Sequence, residues 1–125
     1  MLTKKDLIDY CLTFPGAYED YPFDKDSSAA NAWTVMRHSK SKKSFAFIFE
    51  RGGFVNINLK CEPMEADFLR SVYHSVIPAY HMNKVHWNGI IVDGSIPDEE
   101  IFNWIQNSYD ITKPKNKVKI NMNNA

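Results

Sequence analysis

Residues 44–60 read SFAFIFERGGFVNINLK, and the reading of this stretch decides the fold. At its centre Arg51-Gly52-Gly53 is a turn, because glycine takes a positive φ without steric cost. After the turn, Val55, Ile57 and Leu59 alternate with Asn56, Asn58 and Lys60. That period of two marks a strand with one packed face and one wet face. Before the turn, Ser44 to Glu50 is a second β-type run, so the pair forms a hairpin. Upstream, residues 32–37, centred on Trp33 and Val35, form a third run, set off by the turn HSKSKK at 38–43. The three runs predict an antiparallel meander.

Working outward, the flanks read as helices. Thr3 and Asp6 make a T-x-x-D capping box, with Leu2 and Leu7 placed as a hydrophobic staple. Leu7, Ile8, Cys11 and Leu12 share one face, with Cys11 a small core residue, until Pro15-Gly16 ends the helix. Residues 17–31 read as an irregular loop pinned by Tyr18, Tyr21 and Phe23. Beyond the meander, Pro63 opens a second helix, with Met64, Phe68, Leu69, Val72 and Tyr73 as its apolar face. Residues 79–94 are expected to hold one or two further strands, Gly89–Asp93 being the clearest. Pro97 opens a third helix whose first turn carries Asp98, Glu99 and Glu100, the favourable sign at that end. There Ile101, Trp104, Ile105 and Ser108 are expected to face inward. The order α-β(3)-α-β(2)-α predicts an α+β, two-layer domain over residues 1–112, an antiparallel sheet with its helices on one face. Residues 113–125 read as a basic, flexible tail.

A chain of 125 residues, 44% hydrophobic and 24% charged, has the composition of one globular domain rather than of a disordered segment. No apolar run is long enough to span a bilayer, and the N-terminus has no signal-peptide pattern, so no membrane role and a cytoplasmic location are expected. Two cysteines without a CxxC motif predict neither a disulfide framework nor a zinc site. The formal net charge is zero, yet it is unevenly spread. Residues 37–51 hold five basic side chains against one acid, and residues 111–125 hold four lysines and none. Residues 19–26 hold four acids against one lysine.

Chemistry-bearing patterns are few. His81 and His86, an odd number of residues apart in a segment expected to be extended, would lie on opposite faces and make no metal pair. No nucleophile elbow and no phosphate-cradling glycine loop occurs, so neither a catalytic residue nor a cofactor is assigned. The densest polar and aromatic cluster is YHMNKVHWN at 80–88. Tyr80, His81, Asn83, Lys84, His86, Trp87 and Asn88 combine donors, a cation and planar rings, a set suited to a small anionic ligand, a nucleobase or a peptide. The plainer alternative makes Tyr80 and Trp87 core residues and has Asn83 and Asn88 close turns. A second set is basic: Arg37, Lys40, Lys42, Lys43 and Arg51, with Lys60 and Arg70 secondary. If the 38–43 turn and the turn at Arg51 project together, they can track a phosphate backbone.

Several strings are more specific than composition. Asn58-Leu-Lys-Cys-Glu-Pro63, Leu69-Arg-Ser-Val-Tyr73 and Pro78-Ala-Tyr-His-Met-Asn-Lys-Val-His-Trp87 stand with Phe14-Pro-Gly16, Glu19, Tyr21-Pro-Phe23 and Asn107-Ser-Tyr-Asp110. Together these resemble the MmcQ/YjbR family of small bacterial proteins, over residues 3–112. The resemblance implies the α-β(3)-α-β(2)-α fold, related to CyaY-like and secretion-chaperone-like folds. It further implies DNA binding through a "double wing" of the sheet and its hairpins, and no catalytic activity. Between Phe23 and Trp33 this chain carries DKDSSAANA, where the family tends to be shorter and glycine-containing. Duplex DNA is therefore the expected partner, bound by Arg37, Lys40, Lys42, Lys43, Arg51 and Lys60. The alternatives are a protein- or peptide-interaction module, marked by an exposed apolar patch or a dimer, and an anionic-ligand binder at Tyr80–Asn88.

Overall fold

The computed structural model describes residues 1–24 and 32–114. Nine elements follow along them: α1 (Lys4–Leu12), β1 (Ala17–Asp20), β2 (Thr34–His38), β3 (Ser44–Arg51), β4 (Phe54–Lys60), α2 (Pro63–Val72), β5 (Val76–Pro78), β6 (Trp87–Val92) and α3 (Asp98–Thr112). The strands form one sheet in the order β1-β2-β3-β4-β6-β5, and every neighbouring pair is antiparallel. All three helices pack on one face of it, giving the expected two-layer α+β fold.

Local chemistry sets the boundaries. Thr3 accepts from the Asp6 amide while Asp6 accepts from the Thr3 amide, the reciprocal capping box read from the sequence. Gly52 and Gly53 both hold positive φ and let β3 fold back onto β4. Pro63 occupies the first turn of α2, where its missing N–H costs nothing.

The sheet carries two more features than the meander predicts. Residues 17–20, expected to be loop, form the edge strand β1, held in register by Tyr18 opposite Arg37 and Asp20 opposite Val35. This run is too short and too acidic to signal a strand by itself. The second feature is a bulge between β2 and β3: Met36 lies opposite Ala46 but Arg37 opposite Ser44. The extra residue, Phe45, faces the helices together with Ala46, and both are fully buried.

Two other expectations are corrected. Residues 79–86 are a loop with His81 at φ 61°, not a strand, and the fifth strand lies earlier, at Val76–Pro78. On α2 the buried residues are Ala66 and Leu69, with Tyr73 packed beside them, whereas Met64, Phe68 and Val72 face solvent. The segment at 25–31, where the chain departs from its resembled family, and the tail from 115 lie outside the described residues.

Leu7, Met36, Phe45, Ile48, Ile57, Leu59, Ile90, Ile101 and Ile105 form the core between the layers. Since Ile57 and Leu59 point to the helices, Asn56, Asn58 and Lys60 point to the other, helix-free face. The same parity, carried through the strand registers, places Tyr18, Val35, Arg37, Phe47, Phe49, Arg51 and Trp87 there too.

Candidate nucleic-acid interface

The helix-free face is not bare. Trp33 stacks flat on Phe49, ring centroids 3.9 Å apart, and Phe47 meets Trp87 edge-on at 5.5 Å. The 79–86 loop turns back over this aromatic row: Tyr80 lies 6.2 Å from Phe49 and 6.3 Å from Trp33. Asn58 Nδ2 donates to the Tyr80 carbonyl at 3.2 Å and pins the loop to β4. Gly89 makes the crossing possible, because a Cβ there would meet Asn58 Oδ1 at 3.0 Å and the Ala79 Cα at 3.5 Å. The result is a second, smaller aromatic core on the side away from the helices.

Cations rest on aromatic rings of this face. The Arg51 guanidinium lies over the Tyr80 ring, 3.8 Å from its centroid. Lys60 Nζ lies 5.9 Å from the Trp87 centroid, and Lys42 Nζ lies 5.2 Å from that of Tyr18. Each aromatic face holds a positive group at the surface without burying it. Lys40 and Lys43 are exposed in the turn that carries Lys42. Arg37 is differently placed: its Nε meets Asp20 Oδ2 at 2.8 Å, and its Nη1 donates to the Lys42 carbonyl. Much of its charge is spent on β1 and on the turn.

The two basic turns do not project together. One precedes β3 and the other follows it, so they stand at opposite ends of an eight-residue strand, roughly 25 Å apart. Lys42 and Lys60 share one end, because β4 returns antiparallel, and Arg51 holds the other. The acidic stretch of the described residues flanks the β1 edge through Glu19, Asp20 and Asp24.

The Tyr80–Asn88 set is likewise divided rather than convergent. Tyr80 and Trp87 pack on the helix-free face, with His81 against the Tyr80 ring at 3.9 Å. Asn83 closes a turn, its Oδ1 accepting from the Val85 amide, and Lys84 and His86 are exposed. Asn88 points the other way, into the helix layer. There its Nδ2 donates to the Ala66 carbonyl and its Oδ1 accepts from Arg70 Nη1 at 2.6 Å. Arg70 also donates to the Lys84 carbonyl, so one guanidinium joins α2, β6 and the loop. A small cavity between β4, β6, α2 and α3 is lined by Lys60, Cys61, Glu65, Asn88, Trp104 and Asn107 and holds space for about one water.

Other residues of the specific strings also hold the molecule together. Ser108 Oγ donates to the Phe45 carbonyl at 2.6 Å and accepts from the Lys60 amide at 2.9 Å, fastening α3 across the bulge. Tyr109 donates to the Pro15 carbonyl. Burial pushes the Cys61 thiol up to about 11 and the Cys11 thiol up to about 12, so neither is a thiolate at neutral pH. Among the described residues no three His, Cys, Asp or Glu side chains cluster as a metal site. No helix among them is long and apolar enough to cross a membrane.

Sequence and structure comparisons agree with one another. The chain is 32% identical over 123 residues to the uncharacterized protein YyaQ of Bacillus subtilis, covering 90% of this chain and all of YyaQ. It is 32% identical over 108 residues to the uncharacterized protein YjbR of Escherichia coli K12, covering 86% and 85% of the two chains. A Pseudomonas syringae crystal structure superposes with a TM-score of 0.76 at 28% identity, over 90% of this chain and all of that one. One from Deinococcus radiodurans superposes with a TM-score of 0.78 at 26% identity, over 94% and 85%. With the YjbR pattern matched across residues 12–111 as well, the chain belongs to the YjbR family.

Proposed function

We propose that this protein is a non-enzymatic DNA-binding module that takes duplex DNA on the helix-free face of its sheet. The observation that carries the reading is the triplet of cation–aromatic contacts, Lys42 on Tyr18, Arg51 on Tyr80 and Lys60 on Trp87, all on that face. Each aromatic ring limits where its cation can go, so less side-chain entropy is lost when a phosphate arrives. The spacing of the two ends exceeds the ~12 Å width of a major groove, so phosphates on both of its sides are within reach. Lys40 and Lys43 extend the contact at one end. Arg37, paired with Asp20, braces the turn and contributes less. The neutral total charge predicts modest affinity, with phosphate contacts dominating over base reading.

Fluorescence anisotropy with a labelled duplex at low salt tests this. Wild type binds, with a slope of log K on log salt near −4.5 if Lys40, Lys42, Lys43, Arg51 and Lys60 each meet one phosphate. Alanine at Lys42, Arg51 and Lys60 together flattens that slope by about 2.7 and weakens binding to every sequence alike. A wild type that binds no duplex, or a triple variant that binds as wild type does, ends the proposal.

A further inference from the structure

At the Arg51 end of the helix-free face, one guanidinium is already half of a stack. Arg51 Cζ lies 3.8 Å from the centroid of the Tyr80 ring, a contact that a guanidinium reaches by lying against a ring rather than pointing at it. Tyr80 is itself held: Asn58 Nδ2 donates to its carbonyl, and its ring packs 6.2 Å from Phe49, which stacks on Trp33. Tyr80 thus covers one side of the guanidinium, and Arg51 is exposed, so the opposite side meets water. Beside it stands Phe54, the cross-strand partner of Arg51 and therefore on the same face of the sheet, 42% exposed. Asn56 Nδ2 donates to the carbonyls of both, at 3.3 and 3.0 Å, which fixes the backbone under the pair. The approach is open, since a Cβ at Gly52 or Gly53 would meet nothing within 4 Å. Among the described residues no carboxylate pairs with Arg51, and Glu50, its neighbour in β3, points to the helix side.

We infer that this end of the face takes an unpaired base, stacked on the open side of the Arg51 guanidinium with Phe54 against its flank, in a duplex that carries a single-stranded tail. The inference rests on the DNA-binding reading above and adds the class of nucleic acid to it. A guanidinium offers two chemistries at right angles. Its N–H donors lie in the plane and bond phosphate, while its flat sides stack on π-systems. A nucleotide presents the matching pair, a phosphate and a planar base. In a continuous duplex each base is covered above and below by its neighbours, so only an unpaired one has a side to give. Phosphate contact alone leaves the exposed Phe54 ring without a use, whereas a base beside it buries apolar area on both. Because Tyr80 already orients the guanidinium, less side-chain entropy is lost when the base arrives. Lys42 and Lys60, at the other end of β3 and β4, carry ammonium groups without a flat side and suit backbone phosphates alone.

Fluorescence anisotropy at low salt tests this on three labelled probes: a blunt duplex, the same duplex with a short adenine tail, and that duplex with abasic sites in place of the adenines. The abasic tail keeps every phosphate and removes only the bases, and tails of both polarities are used. Wild type binds the adenine tail about tenfold tighter than the abasic one, the worth of one stacked base. Arg51→Lys keeps the charge, so it binds the blunt and abasic probes as wild type does, with the same salt slope, and loses the preference for adenine. Phe54→Ala also keeps the slope and lowers the preference to about threefold. Both variants keep the wild-type far-ultraviolet circular dichroism spectrum, because the side chains they change face water. A wild type that binds all three probes alike overturns the inference and leaves duplex binding standing. An Arg51→Lys variant that prefers adenine as strongly as wild type does overturns it equally. A wild type that binds none of the probes ends both readings, and one that binds only the adenine tail upholds the stacked base and ends the duplex reading.

Discussion

Asn88 shows how a residue singled out for binding can be fully employed in structure. It is 3% exposed, and its amide satisfies the Ala66 carbonyl while accepting from Arg70. Asn88→Ala removes the side-chain donor to the Ala66 carbonyl and takes from the Arg70 guanidinium its buried acceptor, leaving it the Lys84 carbonyl. The expected loss is about 2 kcal/mol of stability in urea denaturation, with DNA affinity at low salt unaffected. Affinity lost without stability lost would return Asn88 to the binding surface. His38 makes a comparable case. Its Nε2 lies 2.8 Å from Thr112 Oγ1, whose own proton goes to the Ser108 carbonyl, so the ring nitrogen donates. Burial, reinforced by the Lys113 and Lys43 charges, holds its protonation below the usual 6.5. The sequence identifies neither partner, because Thr112 is 74 residues away.

At the scale of elements, α2 is where pattern and packing part. Five apolar residues at helical spacing read as one face, but two neighbouring strands offer room for one stripe of two or three. Leu69→Ala therefore costs about 3 kcal/mol, whereas Phe68→Ala in dilute protein stays within about 0.5 kcal/mol of wild type. Thermal unfolding followed at low concentration separates the two, and similar losses for both would mean that the outer stripe packs on the chain itself. The β4–β6 pair gives the opposite lesson. Gly89 reads as an ordinary strand glycine, yet its missing Cβ lets the 79–86 loop cross the sheet. Gly89→Ala pushes on Asn58 Oδ1 and the Ala79 backbone and costs about 1–3 kcal/mol, read as a lower urea midpoint.

For the whole molecule, the titrating groups set a window of stability. His38 takes up a proton less readily in the folded state than in the unfolded chain, so stability declines as pH falls past about 6.5. Asp93, held near 2 by the Ser75 and Ser95 hydroxyls and the Ser95 amide, adds stability above 3.8 that is lost as pH falls from 3.8 toward 2. Urea midpoints measured between pH 7.5 and about pH 2 should fall in two steps, and His38→Gln should remove the first. A first step that persists in that variant would assign it to another group.

The strand periods, the glycine turn, the capping box and the helix-opening prolines determined the layer architecture, because each acts within a few residues of itself. The motif strings marked the family for the same reason, being contiguous. Tertiary structure alone decided the rest. It made β1 a strand through pairing with β2, divided the Tyr80–Asn88 set between two faces, and put the basic turns at opposite ends of β3. It also left one stripe of α2 in water. These outcomes depend on which surfaces the folded chain brings together across tens of residues, and the sum of many such contacts is written in no local stretch of sequence.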